Sequence, residues 1–176
     1  MVQTKNNKKK ILELFFDYPL EQFYLRQISR KTGIAVTSVK KYLNDLIKEK
    51  LIVKVDKGIY PSFKADRDND KGLFRLHKTL SIIERINSSG LLDYLWDSLY
   101  TEAIILYGSA SRGEDIEGSD IDFFIVGKEK TISLDRFEKN FHREIHLMFK
   151  DNPKKIPEKL KSNLINGIVL KGYFDI

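Results

Sequence analysis

Cysteine is missing from this 176-residue chain. That excludes disulfides and thiolate metal sites, and it makes a reducing compartment the natural expectation. Long apolar runs are missing too; the longest are of the size of Ala103-Ile104-Ile105-Leu106-Tyr107. A spanning helix needs about 20 apolar residues, so the expectation is a soluble, cytoplasmic protein with no membrane contact. The basic start, residues 1–10, leads into an apolar stretch broken by Glu13, which makes a poor secretion signal. There is no internal repeat and no low-complexity tract. With 41% apolar and 11% aromatic residues the chain can build a core, and the 32% charged content does not by itself signal disorder. The length suits one ordinary domain or two small ones.

Charge divides the chain. Residues 1–65 hold 14 Lys+Arg against 6 Asp+Glu, a surplus of 8, while the whole chain carries only +6. The remainder is therefore slightly acidic. A basic front half suits a polyanionic partner, or else a solvated basic surface.

Apolar spacing outlines the front half. Ile11, Leu12, Leu14, Phe15 and Phe16 predict a first helix that Pro19 stops. Phe23-Tyr24 reads as a short extended piece. Leu25, Ile28 and Ser29 begin a second helix, closed by Gly33 in the left-handed turn that suits glycine. Val36, Val39, Leu43, Leu46 and Ile47 define one apolar face of a third helix, whose other face carries Thr37, Ser38, Lys40, Lys41, Asn44 and Lys48. Leu51-Ile52-Val53-Lys54-Val55 predicts a strand, Asp56-Lys57-Gly58 a tight turn, and Ile59-Tyr60-Pro61-Ser62-Phe63 a returning strand. Pro61, with no N–H to donate, predicts a sheet edge for that strand.

This order, over residues 25–52, resembles the winged helix-turn-helix domains of archaeal and bacterial regulators. The resemblance implies that the third helix enters the DNA major groove, with Thr37, Ser38, Lys40, Lys41 and Asn44 as readers. Lys54 and Lys57 on the wing would then meet phosphates or the minor groove. A winged helix used for dimerisation or protein docking is the alternative.

Residues 65–72 are polar and rich in turn formers, which predicts the domain joint. Leu73, Leu76, Leu80, Ile83 and Ile86 keep helical spacing, as a connector or as a helix pairing with its copy in a homodimer. Asn87-Ser88-Ser89-Gly90 breaks that helix, with a serine placed to cap the next one. Leu91, Leu92, Leu95, Trp96 and Leu99 share one face there, and Trp96 reads as core. The division predicted is 1–65, a linker and connecting helix over 66–90, and a second domain over 91–176.

The back half pairs two signals. A buried strand, Ala103 to Tyr107, runs into Gly108-Ser109-Ala110-Ser111-Arg112-Gly113. Twelve residues after Gly108 comes Asp120, in Ser119-Asp120-Ile121-Asp122-Phe123-Phe124-Ile125-Val126, a second strand. Residues i and i+2 of a strand share a face, with Cα atoms roughly 6.6 Å apart at ~3.3 Å per residue. Asp120 and Asp122 can thus converge on one hard cation or a close pair, and Mg²⁺ favours a couple of carboxylates plus phosphate oxygens. Gly108 lets the backbone approach a triphosphate closely, and amides at a following helix start, with the Ser109 hydroxyl, can hold its charge.

Gly108-Ser109 followed by Asp120-Ile121-Asp122 resembles the nucleotidyltransferase superfamily that includes the minimal nucleotidyltransferases, kanamycin nucleotidyltransferase and DNA polymerase beta. The minimal enzymes' Ala-Arg-Gly and Ser-Asp-Ile-Asp appear as Ser111-Arg112-Gly113 and Ser119-Asp120-Ile121-Asp122. The resemblance implies an α/β or α+β core with a short mixed sheet and flanking helices behind the winged helix. It implies metal on Asp120 and Asp122, Mg²⁺ or Mn²⁺, with Gly108, Ser109, Arg112 and Ser119 around a nucleoside triphosphate such as ATP. Family members bring a third carboxylate from a later strand. Here that strand is Glu144-Ile145-His146-Leu147-Met148-Phe149, and aligning its apolar residues puts His146 at the carboxylate position. Glu144 stands in for it, or His146 serves as base or ligand, or the site binds nucleotide without turnover. His142 and Arg143 at the head of this strand read as surface charges or phosphate binders, the former favoured. Lys154, Lys155, Lys159 and Lys161 read as the solvated face of a helix over residues 156–165, and Ile168-Val169-Leu170 as packing or a protein contact.

Three functions remain open. One is a metal-dependent nucleotidyltransferase localised on DNA. A second is a DNA-binding transcription regulator whose degenerate transferase fold senses nucleotide. A third is an antitoxin-type enzyme acting on a small helical toxin-like partner.

Overall fold

In the computed structural model, residues 2–56, 58–68, 72–151, 156 and 158–173 are described, with side chains from residue 6 onward and without that of Lys159. Lys57, Lys154 and Lys155 lie outside the described residues. The chain forms two compact units, Met1–Lys78 and Thr79–Ile176.

The front unit begins with α1 (Val2–Asp17) and β1 (Gln22–Tyr24). α2 (Leu25–Thr32) starts where the Tyr24 N–H donates to Gln27 Oε1 at 2.8 Å. It stops at Gly33, whose φ of 68° is left-handed and whose N–H donates to Ser29 O. α3 (Val36–Lys48) buries Val39, Tyr42, Leu43 and Leu46. Val36, expected on that apolar face, is its first residue and 40% exposed; Tyr42 takes the buried place. Beyond come β2 (Ile52–Val55) and β3 (Ser62–Ala65). The core gathers Phe15, Phe23, Ile28, Leu43, Leu46, Leu51 and Ile52, with Phe15 edge-on to Phe23 at 5.5 Å.

Two expectations for the hairpin are corrected. The returning strand begins at Ser62 rather than at Ile59, and Ile59 and Tyr60 stand exposed before it. β3 is also no edge: the sheet order is β1-β3-β2, with β3 antiparallel to both neighbours. Pro61 lies just before the first ladder position, so its missing N–H costs no sheet bond.

α4 (Leu73–Ser88) is divided between the units. Phe74 belongs to the front core, and Ile82 and Ile86 to the back one. Leu76 and Leu80 are more than half exposed. The cap expected from a serine comes from Ser89, one residue before the Gly90 N-cap, whose hydroxyl accepts from the Leu91 N–H at 3.3 Å.

The back unit continues with α5 (Leu91–Leu99), β4 (Ala103–Tyr107), the single turn α6 (Gly108–Ser111), β5 (Ile121–Val126) and α7 (Asp135–Phe141). β6 (Ile145–Lys150), α8 (Glu158–Ile165) and β7 (Ile168–Gly172) complete it. The sheet order is β6-β5-β4-β7; β4 is antiparallel to β5 and β7, and β5 is parallel to β6. Residues 168–170, read as packing or a contact, are thus an edge strand. Both faces of the sheet are covered over β4 and β5, which explains their unbroken apolar runs, whereas one face of β6 is open. Ile104, Leu106, Ile121, Phe123, Ile125 and Ile145 pack on one side with α5 and α7, and Trp96 lies partly buried there. Ala103, Ile105, Tyr107, Phe124 and Val126 pack on the other against Ile156 and Leu164.

Candidate functional site

Strand parity builds the site. Asp122 is even-numbered like Phe124 and Val126, so it shares their face, one position beyond the end of the packed core. Antiparallel register sets it opposite Tyr107, and parallel register sets it beside His146. Asp120 lies one residue before β5 rather than on it. The two carboxylates still converge: His146 Nδ1 is 3.6 Å from Asp120 Oδ2 and 3.8 Å from Asp122 Oδ1. Glu144 approaches from the other side, its Oε2 3.6 Å from His146 Nε2. Ligand atoms of Asp120, Glu144 and His146 all lie within 4.8 Å of one another.

Gly108 closes the site from β4. Its φ is +72°, and a Cβ there would collide with the Asp122 carboxylate. The left-handed backbone therefore favours glycine, and any side chain here would have to push the Asp122 carboxylate aside. Ser111, where the minimal enzymes have alanine, is buried and donates its hydroxyl to Gly108 O at 2.8 Å, bracing the turn. α6 is only four residues long, so any phosphate affinity here rests on individual amides and not on the expected helix start.

Two other expected nucleotide contacts are engaged locally. The Ser119 hydroxyl accepts from the Ile116 N–H at 3.0 Å and shapes the loop before Asp120. Exposed Arg112 donates through Nε to Glu114 at 2.8 Å.

Arg143 is the correction that matters most. It is not a surface charge. Its Nη1 donates to buried Asp115 at 2.8 Å, its Nη2 to Asp120 O at 2.8 Å, and its Nε to Ser119 O. One guanidinium fork, extended from the head of β6, thus holds the loop that delivers Asp120. His142, beside it, is the exposed left-handed cap of α7. Nothing in local sequence joins Arg143 to Asp115, 28 residues away. The one available signal was an Asp inside a Gly-bounded loop, Gly113 to Gly118, with an arginine at a strand head.

The site's charge is concentrated. Burial pushes the Asp122 carboxyl above its ordinary value; His146 opposes this, Asp120 adds to it, and Arg143 opposes it. Tyr107 is raised by burial and then by Asp122. Several carboxylates and an imidazole gathered against a backbone with no Cβ are a donor set suited to a divalent cation and an anion it carries.

In the front unit, Thr37, Lys40, Lys41 and Asn44 are exposed on α3 and Ser38 is half-buried. Lys54 is exposed on β2 and paired with Asp56 at 2.9 Å. These residues do not meet at one point; they line a surface. Among the described residues, no helix is long and apolar enough to cross a membrane.

No curated protein and no solved structure matches the chain significantly. Residues 90–170 do match the family model described as nucleotidyltransferase domain, and this match supports a nucleotidyltransferase domain in the back unit.

Proposed function

We propose that the back unit transfers a nucleotidyl group from a nucleoside triphosphate to an acceptor hydroxyl, and that the front unit is a winged helix that holds the protein on DNA. The observation that carries the first part is the closure of Gly108 onto Asp122, with Asp120 and His146 gathered beside it, inside the segment that matches the nucleotidyltransferase domain. Gly108 and Ser109 would receive the triphosphate. Asp120 and Asp122 would hold a divalent metal, which would supply positive charge to offset that of the phosphates. The acceptor oxygen bonds to the α-phosphorus, pyrophosphate departs, and the acceptor proton passes to His146 or Glu144, the bases on the same rim. Arg143 keeps Asp120 in place throughout.

The exposed basic face of α3 and the surplus of positive charge in residues 1–65 support DNA as the front unit's partner. His146, at the place of the family's third carboxylate, favours a second reading: a DNA-binding regulator whose back unit holds nucleotide without turning it over.

The test is transfer of label from each α-labelled nucleoside triphosphate, with Mg²⁺ or Mn²⁺, by the wild type and by Asp120→Ala. Labelled product that falls at least about 10²-fold in the variant supports the enzyme; its acceptor, whether DNA, a small molecule or a toxin-like protein, is then identified directly. No incorporation by folded wild type with either metal leaves the regulator. Transfer that survives Asp120→Ala unchanged removes this site from the reaction.

A further inference from the structure

We propose that the centre formed by Asp120, Asp122 and His146 selects a transition-metal dication, of the Mn²⁺-to-Zn²⁺ series, over Mg²⁺, and that Glu144 holds the imidazole in its ligating orientation. This rests on the metal-binding part of the function proposed above and adds the identity of the ion; a ligating His146 has no free nitrogen, so the acceptor proton then passes to Glu144.

Distance comes first. Contacts of 3.6 and 3.8 Å from His146 Nδ1 to Asp120 and Asp122 are too long for hydrogen bonds. Two ligands each about 2.1 Å from one cation stand about 3.0 Å apart at a 90° octahedral angle and about 3.4 Å apart at a tetrahedral one. His146 Nδ1 therefore lies within about half an ångström of tetrahedral co-ligand spacing from both carboxylates, a gap that a small side-chain rotation closes.

Chemistry comes second. Mg²⁺ takes oxygen ligands and keeps much of its water, whereas an imidazole nitrogen favours the later divalent transition metals. Parallel register puts His146 directly beside Asp122, so the nitrogen is delivered by the sheet itself. β6 alternates buried and exposed side chains, and His146 stands on the open face, free to ligate without disturbing the core.

Tautomer comes third. If Nδ1 faces the ion, the ring proton resides on Nε2, and Glu144 Oε2 lies 3.6 Å from that nitrogen. A small side-chain rotation makes it the acceptor. Carboxylate, imidazole and metal in line is the usual way a ligating histidine is oriented.

The experiment is calorimetric titration of the metal-free full chain with Mg²⁺, Mn²⁺ and Co²⁺ separately, with the visible absorption of bound Co²⁺ as a second readout. No nucleotide is present, so the result is independent of transfer. Wild type should bind in the order Co²⁺ > Mn²⁺ > Mg²⁺. His146→Asp should lower the Co²⁺/Mg²⁺ affinity ratio by at least about ten-fold and change the Co²⁺ spectrum, while keeping Mg²⁺ affinity. Glu144→Ala should weaken Co²⁺ by about 10–100-fold and leave Mg²⁺ nearly unchanged. His146 is exposed, so the thermal melt of its variant should match wild type, and His146→Gln provides a second check. Equal affinities in wild type, or an unchanged ratio in His146→Asp, overturn the inference. Transfer that runs equally well on Mg²⁺ while the binding order holds leaves the inference standing and limits it to binding. Absence of binding by every metal overturns it together with the metal-dependent reading, whereas tight Co²⁺ binding without transfer overturns only the enzyme.

Discussion

The two units put their polar residues to different use. In the front unit Thr37, Lys40, Lys41 and Asn44 lie exposed along one helix, each in water. In the back unit they meet at the end of a sheet, the two aspartates half-buried, Glu144 and His146 exposed, and His146 within 4 Å of each of the three carboxylates. A solvated row of charges gives affinity that adds up and fades with salt. A convergent cluster depends on position, because each member alters its neighbours' charge state and geometry. Damage should therefore be graded in the front unit and steep in the back.

The steepest effect is expected at Gly108. Gly108→Ala forces a side chain into a left-handed backbone and against Asp122, so transfer should fall at least about 10²-fold in the labelling assay while the melt changes much less. Near-normal transfer would mean that the turn tolerates movement and that close approach is not what the site requires.

Arg143→Ala comes next. Breaking a buried ion pair and two backbone hydrogen bonds should cost about 3 kcal/mol in denaturant unfolding of the back unit. Transfer should fall as well, and Arg143→Lys should restore stability better than activity, because an ammonium has no planar fork. Equal rescue of both would reduce Arg143 to a fold residue.

In the front unit, Lys40→Ala with Lys41→Ala should weaken DNA binding without abolishing it. The slope of log affinity against log salt should flatten by about 2, close to 0.9 for each phosphate that a lysine no longer neutralises. An unchanged slope would take α3 off the interface and favour docking of a protein there.

The smallest effect concerns Asp122. Burial raises its carboxyl above the ordinary value, so the folded state binds that proton more tightly than the unfolded one. The stability this contributes is present below the unfolded value and lost as pH rises through the raised one. In chelator, Asp122→Asn should melt slightly above wild type at neutral pH, and the gap should close on acidification. A gap that widens in acid would contradict the burial argument.

Much of this was legible in one dimension. Helix spacing marked α3, Gly33 marked the end of α2, and the pairing of Gly108-Ser109 with Asp120-Ile121-Asp122 pointed to residues that the fold brings together. The errors have two causes: partners distant in sequence for Pro61 and Arg143, and a helix boundary for Val36. Pro61 suggested an edge strand, yet β1, far off in sequence, covers β3. Val36 fitted the apolar period of α3, yet it occupies the first, exposed turn. Arg143 looked like a surface charge because its partners, Asp115 and the carbonyls of Ser119 and Asp120, come from another loop.

The sequence by itself determined the local chemistry: which residues carry charge, where glycine permits a turn, and which side of each strand a carboxylate occupies. Those properties depend on neighbours a few bonds away. Only the tertiary structure decided that His146 stands beside Asp122, that Arg143 fastens the Asp120 loop, and that β3 lies inside its sheet. Strand order and register are set by packing between segments distant along the chain, and local periodicity carries no record of which strand a given strand will meet.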